Sequence, residues 1–130
     1  MESQRPPKAL LWTGRVLSAL PVLMMAGIGT LALVHPSPEM VEGFRKHGYP
    51  DSAFKPILIV EICSALIYAI PQTSVVGAIL LTGYLGGAVA THVRAGEPNW
   101  FVPVIVGVIV WLGLLLRDRR LWSLLPFRKL

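Results

Sequence analysis

The stretch SAFKPILIVEICSALIYAIPQTSVVGAILLTGYLGGAVATHVRAGEP, Ser52–Pro98, decides how this chain folds. It holds two apolar runs separated only by Ile70–Ser74, IPQTS. Pro71 ends the first run, and Thr73 or Ser74 can cap the start of the second. A connection this short forces the two runs to lie antiparallel, as a hairpin with no room for a domain. The first run carries Lys55 near its start and Glu61 further in, and the second, Ser74 to Thr91, carries no charge. Each is close to the ~20 residues that cross a ~30 Å hydrocarbon core.

The same pattern extends outward. Val16 to Val34 is nineteen residues without a charge, and it reaches back to about Leu10 if Arg15 sits inside the helix end. Pro98 to Leu116 is also free of charge. Hydrophobic residues make up 54% of the chain and charged residues 15%, with a mean hydropathy of +0.62. Soluble chains average about a quarter charged, so these values belong to a membrane protein. The expectation is an all-α, integral membrane four-helix transmembrane bundle: one domain, residues 1–130, with spans at about 10–34, 52–71, 74–92 and 98–116. The apolar run near the N-terminus exceeds the 7–15 residues of a signal-peptide core, and it is read as a retained helix.

The first loop, HPSPEMVEGFRKHGYPD, has Ser37 as an N-cap, Pro38 at the first helical position and Met40, Val41 and Phe44 on one side. It predicts a short interfacial helix at about 38–47, ended by Gly48. Lysines and arginines set the orientation. Eight of them, Arg5, Lys8, Arg15, Arg117, Arg119, Arg120, Arg128 and Lys129, lie toward the termini, and four, Arg45, Lys46, Lys55 and Arg94, lie in the other loops. The positive-inside rule then puts both termini in the cytoplasm. The net charge of +5 sits at membrane edges with no nucleic-acid motif, so the predicted partners are anionic lipid headgroups and not nucleic acid. The basic tail 117–130, RDRRLWSLLPFRKL, reads as a segment lying on the cytoplasmic surface. Cys63 stands alone, which excludes an internal disulfide and a Cys-x-x-Cys pair.

Polar residues inside this frame mark the candidate site. Glu61 lies ~13 Å along its helix from Ser52, too deep for a short side chain to snorkel, and an ionisable group at that depth is a functional candidate. Tyr84, eight residues before His92, lies ~12 Å below its own helix end, at a similar depth. Tyr84, Ala88 and His92 share one face at spacings of four, so Glu61, Tyr84, Thr91 and His92 can converge on a polar cleft in the outer half. Gly83 and Gly87 form a Gly-x-x-x-Gly pair with Gly86 beside it, read as helix packing within the bundle, with homo-oligomerisation as a second use. Pro21, Gly27 and Gly29 are read as permitting a kink and close packing in the first helix. Glu97 is read as an exposed salt-bridge partner of Arg94. His35, His47 and His92 with Glu61 or Glu42 offer donors of the right chemistry for a metal, but no His-Glu-x-x-His spacing is present and no metal site is assigned.

The order of GYPDSAF, a glutamate in the second span, a proline turn, GAILLT, and the Gly-Gly-Ala-x-x-x-His ending, followed by VWLGLLLRD, resembles the DoxX-like family of small four-helix bacterial membrane proteins. The resemblance covers nearly all of the chain after its N-terminal segment. It implies a bacterial inner-membrane location and picks out Glu61, Gly86, Gly87 and His92. The wider DoxX group includes the DoxD membrane subunit of thiosulfate:quinone oxidoreductase and the methylamine-utilisation protein MauE. Two expectations follow. One is a small redox-associated subunit, working beside other membrane redox subunits, that binds a quinone or other apolar ligand in the outer cleft. The other is a non-catalytic scaffold or partner-binding subunit whose polar residues only lock the helices. A channel fares worse, because four short helices enclose little pore, and no nucleophile elbow, phosphate loop or paired catalytic carboxylates point to a soluble-type enzyme.

Overall fold

The computed structural model describes residues 5–124 and contains no strand among them. Helix α1 runs from Lys8 to Val34 and is followed by α2, Pro38–Lys46, α3, Phe54–Ala69, α4, Ser74–Arg94, and α5, Phe101–Arg117. Three helical segments, Lys8–Val34, Asp51–Ala69 and Pro71–Arg94, are long and apolar enough to cross a membrane, and Phe101–Arg117 is a shorter apolar helix of 17 residues. The last starts later than expected, because Pro98–Trp100 form turns. Much of the helical surface is apolar: Trp12, Leu23, Leu31, Ile79 and Val108 are each more than half exposed, as suits a surface facing lipid and not water.

Apolar burial gives little net drive where lipid is as apolar as leucine, so the bundle rests on close packing of small residues and on hydrogen bonds. Gly14 and Ser18 of α1 are buried against Gly113 of α5. A Cβ on Gly14 would stand 2.8 Å from the Gly113 carbonyl oxygen, and one on Gly113 would stand 2.6 Å from Ser18 Oγ. On the other side, a Cβ on Gly77 would run into the Tyr68 backbone, so α3 and α4 touch there. Tyr68 is fully buried. Its hydroxyl donates to the Val110 carbonyl at 2.7 Å and pairs with Ser18 Oγ at 2.9 Å, joining α3 to α5 and α1. Met25, Ala65, Ala78, Leu81, Leu85, Val110 and Leu114 complete this core.

The glycines expected to pack helices do not. A Cβ on Gly83, Gly86 or Gly87 would meet nothing within 4 Å, because these residues look outward from the α4 face that touches its neighbours. Close approach falls instead to Gly14, Gly77 and Gly113. The hairpin differs in detail too. Thr73 donates to the Ile67 carbonyl at 2.7 Å, and Ser74 donates to those of Tyr68 and Ile70 at 2.9 and 3.0 Å. Both hydroxyls therefore close the end of α3, where carbonyls lack helical partners, and α4 has no side-chain N-cap.

In α1, Pro21 has no N–H to give to the preceding turn, and a widened π turn, Leu23–Gly27, follows it. Helix α2 forms as expected: Ser37 Oγ accepts the Met40 N–H at 3.2 Å, Pro38 opens the helix, and Gly48 leaves it at φ 87°. Phe44 stacks edge-on to Phe54 at 4.9 Å and ties α2 to a second small core of Ala32, Phe54 and Leu58. The tail segment Leu125–Leu130 lies outside the described residues.

Gly77→Ala is expected to prevent α3 and α4 from closing and to yield little folded protein, while Gly86→Ala leaves yield and melting temperature unchanged; size-exclusion profiles in detergent check both. Tyr68→Phe leaves the Ser18 hydroxyl and the Val110 carbonyl without their buried partner and is expected to cost about 1–2 kcal/mol, read as a lowered thermal midpoint.

Candidate functional site

The end of the bundle formed by α2, the close of α4 and the start of α5 gathers most of the polar side chains that have no role in the core. Glu61, on α3, accepts a hydrogen bond from the Tyr84 hydroxyl of α4 at 2.9 Å on Oε2. Behind it is Gly29 of α1, where an added Cβ would lie 3.7 Å from the carboxyl carbon and 3.0 Å from Ile62. The absence of a side chain at Gly29 makes room for the carboxyl group. Glu61 and Tyr84, expected at a similar depth, are joined directly.

Glu97, just past α4, accepts from two histidines. His47 Nε2, at the end of α2, donates to Oε1 at 2.7 Å, and His92 Nδ1, in the last turn of α4, donates to Oε2. The two rings meet edge to face at 5.3 Å. A carboxylate supplies only acceptors, so each histidine keeps a proton on the nitrogen facing Glu97. The expected Arg94–Glu97 bridge does not form. Arg94 donates to the His47 carbonyl instead, beside Gly48, and clamps the loop that carries His47. The two histidine hydrogen bonds, that of His92 first, hold the Glu97 carboxyl below its ordinary value of 4.5. His35 is exposed, and Glu42 pairs with Arg45 at 3.4 Å, so neither joins this group.

A cavity of about 380 Å³ opens between these two clusters. His47, Tyr49, Tyr84, Thr91 and His92 supply its polar wall, and Phe44, Ile57 and Ala88 its apolar wall. Gly83 and Gly87 also line it, which gives these glycines a place in the structure: they keep the space open. Gly86 faces a separate apolar groove between α4 and α5. Thr91 donates to the Gly87 carbonyl at 2.9 Å, so in the 2.7 Å contact between Tyr49 and Thr91 the tyrosine is the donor. Glu61 lies behind Tyr84 and is not part of the cavity wall. In the sequence His47 stands beside His92 as a donor at this end, while Tyr49 is not singled out and Glu97 reads as a partner of Arg94. The GYPD motif and the His-Val-Arg-Ala-Gly-Glu spacing were in view, but only the fold brings α2 over the end of α4. His47, His92 and Glu97 also present three ligand-type atoms within 4.8 Å of one another, a donor set chemically suited to a transition metal.

Apolar helices with a hydrogen-bonded cavity at one end define a small helical integral membrane protein. The chain belongs to the DoxX-like family, whose sequence profile matches residues 16–113. Neither a curated protein nor a solved structure matches it.

The depressed Glu97 value carries a sign. The ionised carboxylate stabilises the folded state above the unfolded glutamate value, and that stability is lost as pH falls through the lower folded value. The melting temperature of the protein in detergent is therefore expected to fall, as pH drops below the ordinary glutamate value of 4.5, more steeply than that of Glu97→Gln. Parallel pH profiles for the two proteins would contradict the assignment.

Proposed function

We propose that this DoxX-like protein is a four-span subunit of the bacterial inner membrane, with both termini cytoplasmic, that binds a small apolar ring bearing hydroxyl groups in the cavity between α2 and α4. A quinol is the chemical type. The observation that carries the reading is the cavity of about 380 Å³ with an aromatic and apolar wall on one side and His47, Tyr49, Tyr84, Thr91 and His92 on the other. Ligand sites of this kind are mostly apolar with a few convergent polar groups.

Proton bookkeeping refines the ligand. The Tyr84 proton goes to Glu61, that of Tyr49 to Thr91, and that of Thr91 to Gly87. His92 keeps its proton on the side of Glu97, which makes Nε2 an acceptor in the neutral ring. The wall therefore offers mainly acceptors, and a ligand that donates, the reduced diol, fits better than a dione that can only accept. Glu61 and His92 are the groups placed to hold or pass protons, with Tyr84 between Glu61 and the cavity. Residues 8–34, 51–69, 71–94 and 101–117 are the proposed spans, and the distribution of lysine and arginine supports the orientation.

Duroquinol and duroquinone, titrated under anaerobic conditions against detergent-purified protein and followed by tryptophan fluorescence, test the proposal. The quinol is expected to bind about fivefold or more tighter than the quinone, the worth of roughly one hydrogen bond. Tyr49→Phe and His92→Ala are each expected to weaken it by a similar factor. If neither compound binds folded protein, and Glu61→Gln alters only the thermal midpoint, the polar residues serve to lock the helices and the subunit is a scaffold.

A further inference from the structure

The opposite end of the bundle holds a second cavity, of about 820 Å³, between the start of α1, the Pro71–Thr73 turn and the end of α5. Arg5, Lys8, Arg15, Arg117 and Arg120 line it, against a single carboxylate, Asp118. Asp118 Oδ1 accepts the Arg120 backbone N–H at 3.0 Å, and among the described residues no ion pair joins it to any of the five cations. This is a concentration of positive charge that nothing within the described chain neutralises.

Arg117 marks the centre of the problem. Its Nε and one terminal nitrogen, Nη2, are buried and have no hydrogen-bond acceptor among the described residues. Its side-chain stem is packed against Gly14, and its guanidinium carbon lies 5.5 Å from the centre of the Tyr68 ring. The ring face attracts the cation but gives the N–H groups no acceptor. A buried donor without a partner is costly, more so when charged. The packed stem holds this head in one place, so an incoming acceptor need not order it.

The shape beside it narrows the ligand. A further cavity of about 270 Å³ shares Arg15 and Arg117 with the basic one and continues over Ala19, Val22, Leu23 and Ala69. From Arg15 to Leu23 is eight residues, ~12 Å along α1. A basic cavity and a mostly apolar one, lined also by Ser18 and Tyr68, thus adjoin at Arg15 and Arg117 and together extend toward the middle of the bundle, the outline of an amphiphile and not of a free ion.

The geometry points to a binding site for an anionic phospholipid, its phosphate held between Arg15 and Arg117 and one acyl chain lying along α1. Guanidinium forks match phosphate oxygens with paired hydrogen bonds; Nε and Nη2 of Arg117 are closed off by the protein, so the phosphate meets Arg117 at Nη1 and offsets the charge of its head at short range. Arg5, Lys8 and Arg120 form the rim and favour a headgroup with net negative charge over a zwitterion. The site lies at the far end of the bundle from the Tyr84 cavity and stands whether or not that cavity binds a quinol.

Native mass spectrometry on detergent-purified protein, titrated with phosphatidylglycerol and with phosphatidylcholine of the same acyl chains, tests it. One phosphatidylglycerol per chain is expected, bound about fivefold or more tighter than phosphatidylcholine. Replacing both Arg15→Gln and Arg117→Gln is expected to weaken phosphatidylglycerol about 25-fold, at about fivefold per charge. Because the Arg117 stem packs on Gly14, the rim pair Arg5→Gln and Lys8→Gln, which carries no packing role in α1, provides a second measurement with the same expected direction. Equal binding of the two lipids, or wild-type binding by both pairs of variants, overturns the proposal. So does displacement of the lipid by millimolar inorganic phosphate, which would identify a soluble phosphate as the occupant.

Discussion

The hydroxyl of Tyr68 is the point on which the bundle turns. A phenol buried in a low-dielectric interior must find hydrogen-bond partners, and here the partners come from two other helices, Ser18 of α1 and the Val110 carbonyl of α5. The backbone of the same residue is pressed against Gly77 of α4. All four long helices therefore meet at one residue. Each can rotate only within the tolerance of a hydrogen bond, and this fixes which faces remain for lipid and which for the cavities at either end.

Those two ends differ in kind. At the Glu97 end, charge is compensated internally: a carboxylate holds two histidines, Arg94 holds a backbone carbonyl, and Arg45 forms paired contacts with Asp51. At the other end, cations collect without ion-pair partners among the described residues. The first arrangement suits a site whose protonation is tuned by its own residues. The second suits one completed by something outside the chain. Tyr68 stands between them, its ring under Arg117 and its hydroxyl in the core.

Much of this was legible in the sequence. The hairpin, the short α2 with its Ser37 cap and Gly48 exit, and the shared depth of Glu61 and Tyr84 all follow from local rules of length, capping and rise per residue. What local rules do not contain is rotation. A Gly-x-x-x-Gly pair reports that one face is small without saying whether a helix or a space lies opposite, and Gly83 and Gly87 face a space. Gly14, Ser18 and Gly113, which do pack, looked unremarkable because their partners lie on helices nearly a hundred residues apart. Tyr68 is not singled out either, because its hydroxyl's partners, Ser18 and the Val110 carbonyl, lie on distant helices. Glu97 beside Arg94 reads as a local ion pair until α2 folds over and brings His47 to it.

The widened turn at Leu23–Gly27 gives α1 a property its neighbours lack. A π turn accommodates one residue more than a regular turn while the helix on either side keeps its facing. Loss of one residue there would return the segment to regular helix with Gly14 and Ser18 still toward α5 and Gly29 still toward Glu61. The same loss elsewhere in α1 would swing everything beyond it by ~100°. The helix thus carries a single place of slack between Ser18 and Gly29, and a change in length within that stretch that spares both the lipid chamber and the carboxylate niche has to fall within those five residues.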